Sequence, residues 1–305
     1  MTKRVASRIE SVQDPVIPMV GKMIAENPGT ISLGQGVVHY RPPPEVFSCT
    51  THSDNDFHRY GDVCGNVALL DLIREKLATD NSIQSEDESA VVFTAGSNMG
   101  FLNAVLAIAD IEDEIILMSP FYFNHEMAIE IAGCKAVVVP TTEDYQLNLD
   151  SIRAAITDRT RAIVTVSPNN PTGAVYSRQA LTEVNKLCVA HGIYHISDEA
   201  YEYFVYDDLR HFSPGSLEGA AAHTISLFTL SKAYGMAGWR AGYMVAPADL
   251  LMPIKKIQDT NLVCPPIISQ AAAAAALQVG RAWCDPKAKA LGQVRKAPLI
   301  STSST

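Results

Sequence analysis

The chain has 305 residues, 47% hydrophobic and 19% charged, with a formal net charge of −9. Length and balance suit a soluble globular protein with a substantial core. The acidic balance, with no Lys/Arg-rich run, argues against a nucleic-acid partner, and no apolar run approaches the ~20 residues that cross a bilayer. The opening MTKRVASRIE lacks the apolar segment of a secretory signal, which points to the cytoplasm.

The first ~50 residues read as extended, Pro-rich (Pro42, Pro43, Pro44) and broken by glycines, an arm or part of a second unit. From residue 90 onward short apolar runs alternate with helical patterns. Strands are expected at AVVFT (90–94), EIILM (114–118), KAVVV (135–139), RAIVTV (161–166), IYHIS (193–197), TISLF (224–228) and GYMVA (242–246). They are rich in Val and Ile and lack polar alternation, the pattern of strands buried on both faces. Helical patterns lie between most of them, for example at Asn98–Asp110, Phe123–Gly133 and Arg178–His191. The expected fold class is α/β, a mostly parallel (mixed) sheet with helices on both faces. Ligands in such sheets bind beyond the carboxyl ends of the strands. AAAAAAL (271–277) reads as a packed helix, and the tail KAPLISTSST (296–305) as disordered at its end.

Six cysteines (Cys49, Cys64, Cys134, Cys188, Cys264, Cys284) show no CxxC spacing, which suits reduced, mostly buried thiols. No metal site is expected. His191 and His195 stand four apart, but Gly192 between them marks a helix end followed by a strand, and an i, i+4 metal pair needs a continuous helix.

The unusual motifs all follow strands. In ISDEAY (196–201), Asp198 emerges at the sheet's carboxyl edge, and Tyr201 projects toward the same pocket unless the aspartate merely caps a helix. SPNNPTG (167–173) is a rigid turn that presents two amides, Asn169 and Asn170, where a purely structural turn needs neither. TAGSNMG (94–100) opens a helix at which Gly96, Ser97 and Asn98 offer backbone N–H groups to an anion. SPFYFNH (119–125) brings Tyr122 and His125 to the rim. In TLSKAYGMAGWRAGY (229–243), Lys232 sits behind the hydroxyls of Thr229 and Ser231, with Arg240 eight positions on. Burial among small residues near a second cation lowers a lysine's pKa and exposes its neutral amine, as imine formation requires. Arginine and hydroxyls suit a phosphate, an aspartate suits a pyridinium nitrogen, and an amide with a phenol suits a phenolate oxygen. Together they match pyridoxal phosphate.

In these motifs, with Asn170, Asp198, Tyr201, Lys232 and Arg240 in order, the chain resembles a fold-type I pyridoxal-phosphate-dependent aminotransferase of the class I/II family (aspartate/aromatic/kynurenine type). ISLGQGVVHYRPPPEV (31–46) and HRYGDVCGNVALLDLIREKL (58–77) extend the likeness over roughly residues 15–290. The resemblance implies transfer of an amino group from an amino acid to a 2-oxo acid by a ping-pong mechanism. Lys232 would carry the cofactor as an internal aldimine and act as acid and base. Asp198 would pair with the ring nitrogen with His125 behind it, Asn170 and Tyr201 would hold the phenolate oxygen, and Tyr122 would stack on the ring. Gly96, Ser97, Asn98, Thr229, Ser231 and Arg240 would surround the phosphate. Tyr60 would reach it from the other subunit of a homodimer, while Gly36 and Asn170 would meet the substrate.

The resemblance also implies three regions: residues 1–50 as arm and part of a small domain, 51–285 as the large cofactor-binding domain, and 286–305 as an altered tail. Family members usually continue beyond this chain's last residue and carry there the arginine that clamps the substrate carboxylate. The expectation is a C-terminally truncated chain that binds cofactor and transaminates poorly. With no arginine in NLVCPPIISQ (261–270), and LGQGVVHY close to the kynurenine/glutamine-type segment, the substrate reading leans to aromatic, methionine-like or other neutral donors, with 2-oxoglutarate or another 2-oxo acid as acceptor. Two alternatives stay open: a C–S β-lyase with the same cofactor, and a catalytically impaired paralogue that binds it and dimerises.

Overall fold

β-Branched side chains are stiff at χ1 and pack well on a pleated surface, so the Val- and Ile-rich runs form strands. The computed structural model describes residues 5–32, 34, 36–49, 57–85 and 89–295. The strands are β1 (Ser89–Thr94), β2 (Glu114–Ser119), β3 (Lys135–Pro140), β4 (Thr160–Val166), β5 (Tyr194–Asp198), β6 (Thr224–Thr229) and β7 (Gly242–Pro247). The helices preceding β1 are α1 (Ser7–Glu10), α2 (Val16–Glu26), α3 (Pro44–Ser48) and α4 (Val67–Asn81). Between strands run α5 (Ser97–Ile108), α6 (Phe123–Ile131), α7 (Leu149–Ala155) and α8 (Arg178–His191), and after β7 come α9 (Leu251–Leu262), α10 (Ile267–Val279) and α11 (Arg281–Arg295).

All seven expected strands form one sheet, in the order β1-β7-β6-β5-β4-β2-β3. Every pair is parallel except those of β7, which runs antiparallel to both β1 and β6. Alternate residues feed the two faces. Ile115 and Leu117 of β2 join the core that includes Phe101, Ile129 and Ile196, while Ile116 and Met118 join the one built with Ile152, Leu181 and Val184 of α7 and α8. Each fully buried Ile or Leu contributes on the order of 1.5–3 kcal/mol, which fixes the register.

Two expectations need correction. β3 is not buried on both faces: it is the sheet's edge strand, and of its six residues only Val139 is buried. The first ~50 residues are not simply extended. Pro15 stands at the start of α2, which carries Val16, Met19, Val20, Met23 and Ile24 at helical spacing. The Pro42–Pro44 run likewise leads into α3, with Pro44 as its first residue. The expected disordered tail (296–305), and Leu33 and Gln35 of LGQG, lie outside the described residues.

Other readings hold in detail. α8 ends at His191, and Gly192 (φ 64°) caps it in the left-handed region, so His195 lies in β5 and shares no helix with His191. The polyalanine run is packed inside α10. Cys64, Cys134, Cys188 and Cys284 are buried and Cys49 and Cys264 half-buried. α11 is continuous through Pro286. Among the described residues no helix is long and apolar enough to cross a membrane.

Candidate active site

Register places the motifs. Val166 pairs with Asp198 at the carboxyl ends of β4 and β5, and Thr94 and Thr229, ending β1 and β6, both pair with Gly242 at the start of β7. The antiparallel β7 therefore makes the β6–β7 connection cross the sheet's carboxyl edge, and that connection carries Ser231, Lys232 and Arg240. One cavity there is lined by Ser97, Asn98, Tyr122, Val166, Asn170, Asp198, Ala200, Tyr201, Thr229, Ser231, Lys232, Ala237 and Arg240.

At its depth stands Asp198, 5% exposed. One carboxylate oxygen accepts the Ala200 N–H at 3.0 Å in a turn, and no helix starts there, so the aspartate is not a helix cap. The other lies 3.1 Å from His125 Nε2, and the His125 ring is sandwiched by Phe101, stacked at 4.0 Å, and by the edge of Tyr122. On the rim, the Asn170 amide donates to the Tyr201 hydroxyl at 3.4 Å. Burial, with Asp198 and Tyr122 nearby, pushes the Tyr201 phenol up to about 12, so it is a hydrogen-bond donor at neutral pH.

Lys232 faces Asp198 across the cavity. Its Nζ donates to the Gly36 carbonyl at 2.9 Å and lies 5.4 Å from the centre of the Tyr201 ring. Burial lowers its pKa from 10.5; Asp198 opposes that, and Arg240 adds to it. The second cation therefore acts in the expected direction, with desolvation the larger cause. A consequence can be measured without any ligand. Below the folded-state pKa the fold must hold a disfavoured ammonium, whereas the unfolded chain holds it freely. Lys232→Met is expected to stabilise the unliganded protein at neutral pH. That advantage shrinks as pH climbs through the lowered pKa toward 10.5, which denaturant unfolding across a pH series would read.

At the far end α5 presents its first N–H groups. Gly96 precedes them at φ 83°, and a Cβ on it would lie 2.4 Å from Arg240 Nη2. Gly242 has no more room: a Cβ there would stand 2.7 Å from the Ser97 nitrogen. Gly96 needs glycine for its backbone conformation, and Gly242 for close approach to the α5 backbone. Arg240, in the left-handed region at φ 52°, donates to the carbonyls of Ala237 at 2.8 Å and Ala95 at 3.3 Å, which aims its guanidinium across the helix start. The Thr229 and Ser231 hydroxyls lie 2.9 Å apart beside it. Helix N-terminus, guanidinium and two hydroxyls make an anion cradle.

One expected site feature falls elsewhere. Asn169 is buried and turned inward, its Oδ1 accepting from the Thr172 N–H at 3.1 Å and the Thr172 hydroxyl at 2.9 Å. Only Asn170 of the two amides reaches the cavity. Tyr60, expected to serve the site of another subunit, is 85% exposed and off this chain's own lining. Val166, Ala200 and Ala237 line the cavity unannounced by the sequence, since small or aliphatic residues inside motifs carry no chemical signal of their own.

The family model described as "Aminotransferase class I and II" matches residues 28–295. The chain belongs to the class I and II aminotransferase family. Among its aminotransferase relatives is the aspartate aminotransferase of Pyrococcus abyssi, 33% identical over 294 residues, or 95% of this chain and 74% of that one. Aromatic-amino-acid aminotransferase 2 of Thermococcus litoralis is 32% identical over 91% of this chain and 72% of its own. The solved aromatic aminotransferase from Pyrococcus horikoshii superposes with a TM-score of 0.80 at 35% identity, covering 91% of this chain and 74% of that structure. The chain thus spans about three quarters of the length of these aminotransferases.

Proposed function

We propose that this aminotransferase binds pyridoxal 5′-phosphate and moves an amino group from an amino acid to a 2-oxo acid in two alternating half-reactions. The observation that carries the reading is a single cavity with an acceptor, Asp198, at its depth, an anion cradle at one end and a lysine of lowered pKa across it.

The donor set fits the cofactor. Asp198 accepts one hydrogen bond at each oxygen from within the protein and keeps lone pairs for a protonated ring nitrogen. The Asn170 amide and Tyr201 hydroxyl would donate to the ring's phenolate oxygen, and Tyr122 would cover a ring face. Ser97, Asn98, Thr229, Ser231 and Arg240 would hold the phosphate. When bound, pyridoxal phosphate supplies a ring that withdraws electrons from the amino acid's Cα.

Lys232 does the proton work. Its neutral amine, favoured by burial, takes the proton from the substrate Cα and would deliver it, on the same side, to the cofactor carbon that carried the aldehyde, not back to Cα. The Gly36 carbonyl, 2.9 Å away, steadies Nζ between transfers. Asp198 holds the ring nitrogen's proton, and His125 fixes the carboxylate's orientation. Tyr60, exposed and off the lining, would serve the phosphate of a second copy in a homodimer. We also keep residues 51–285 as the cofactor-binding unit.

Relatives are named for aspartate, aromatic amino acids and N-succinyldiaminopimelate, so a panel of acidic, aromatic and neutral donors with 2-oxoglutarate is the proper test. The purified chain should gain a visible absorbance band on adding pyridoxal phosphate, and at least one donor should bleach it while yielding its 2-oxo acid. A folded chain that gains no band would overturn the reading; pyruvate and ammonia from cysteine conjugates would move it to the lyases.

A further inference from the structure

Beneath the cavity lies a charged group that the proposed reaction does not use. Lys76, near the end of α4, is 8% exposed. Its Nζ donates to the two Glu202 oxygens at 2.5 and 2.6 Å and to Asn81 Oδ1 at 2.7 Å. It also lies 4.7 Å from the centre of the Phe228 ring, 5.3 Å from Tyr203 and 6.0 Å from Tyr243. An ammonium surrounded by its counter-charge, an amide and three ring faces is fully satisfied. A well-packed apolar side chain would fill the same volume without the cost of desolvating two charges, so stability alone does not account for the pair.

Its partners supply the account. Glu202 follows Tyr201, Phe228 precedes Thr229, and Tyr243 follows Gly242, against which the start of α5 packs. Asn81 extends the connection, donating to Glu202 at 2.8 Å and to the Ser213 hydroxyl at 2.9 Å. Ser213 in turn donates to the Glu199 carboxylate, which also holds His211 Nε2 at 2.8 Å, and Glu199 follows Asp198. One end of α4 therefore touches the neighbours of Tyr201 and Thr229, which line the cavity, and reaches the neighbour of Asp198 through Ser213.

We propose that Lys76 is a positioning residue: through Glu202, and with Asn81 through Ser213 and Glu199, it sets the 198–202 segment so that Asp198 and Tyr201 meet the cofactor together. The proposal rests on the cofactor reading for its purpose, and its geometry can be tested without it. Removing Lys76 alone would strand Glu202, so the test variant is Lys76→Met with Glu202→Gln, which removes both charges and keeps an amide toward Asn81.

In the unliganded chain, amide hydrogen exchange over residues 199–204 is expected to quicken about tenfold while β2 and β3 keep their protection. Pyridoxal phosphate should bind about tenfold more weakly, as when the groups that orient a ligand's partners are lost. A folded double variant with unchanged exchange at 199–204, or with equal quickening across the sheet, would overturn the proposal. Lys76→Arg provides the second reading if the double variant does not fold. Its bulkier guanidinium should quicken exchange over the same segment alone, and no change there would equally refute the role. Because exchange is read without cofactor, failure of the wild-type chain to bind pyridoxal phosphate would sink the proposed function and leave this result standing.

Discussion

Lys232→Arg is expected to leave a folded protein whose amino-group transfer falls by at least about 10³-fold. The substitution keeps a cation and much of the side chain's reach, so it separates charge from chemistry. A guanidinium stays protonated throughout the accessible pH range and offers no lone pair for a substrate proton or a carbonyl carbon. The wild-type lysine is moved the other way, below 10.5 by burial and by Arg240. Lys232→Ala should lose turnover to the same degree, because both variants lack a neutral amine. Cofactor binding should weaken without vanishing, since Ser97, Thr229, Ser231 and Arg240 still form the anion cradle. The checks are steady-state turnover and the visible spectrum of each variant with added pyridoxal phosphate. Turnover of the Arg variant within about tenfold of wild type would mean that the essential amine is elsewhere.

Much of this site was legible because its residues are chemically conspicuous and stand directly after strands. Asp198, Asn170 and Lys232 close or follow the apolar runs of β5, β4 and β6, whose carboxyl ends lie at one edge, and Arg240 stands just before the antiparallel β7, which starts at that same edge. Strand direction was less visible: GYMVA reads the same whether β7 runs parallel or antiparallel, and only the short β6–β7 connection hints at reversal. The edge position of β3 was hidden for a related reason, since KAVVV has a buried strand's composition although the sheet leaves it only one neighbour. Asn169 and Asn170 are identical in type, and a turn sends adjacent side chains to different sides, so sequence alone had no means to choose between them. Lys76 is the extreme case. In LLDLIREKLATDN it looks like one of several solvated charges on a helix, and only the fold lays it under Tyr203, Phe228 and Tyr243.

Asp198→Asn tests the other pole of the cavity. The variant is nearly isosteric, and its amide oxygen can still accept the Ala200 N–H, so the segment after β5 should keep its shape. What it loses is the anion. Turnover should fall by about 10²-fold or more, because a neutral amide stabilises a proton on the ring nitrogen far less than a carboxylate does. The second consequence can be read on the unliganded chain. Asp198 is the group that raises the Lys232 pKa against burial and Arg240, so removing its charge must lower that pKa further. Acylation of Lys232 by a small amine-directed reagent, followed by mass spectrometry, should therefore reach half its limiting rate at a lower pH in Asp198→Asn than in wild type. Lysines far from the cavity, such as Lys135 on the sheet's edge strand, should label identically in both proteins. An unchanged pH dependence at Lys232 would show that the carboxylate and the amine do not sense each other across the cavity. Loss of turnover with the expected downward shift would place the defect on the proton at the ring nitrogen, because the amine would by then be more available.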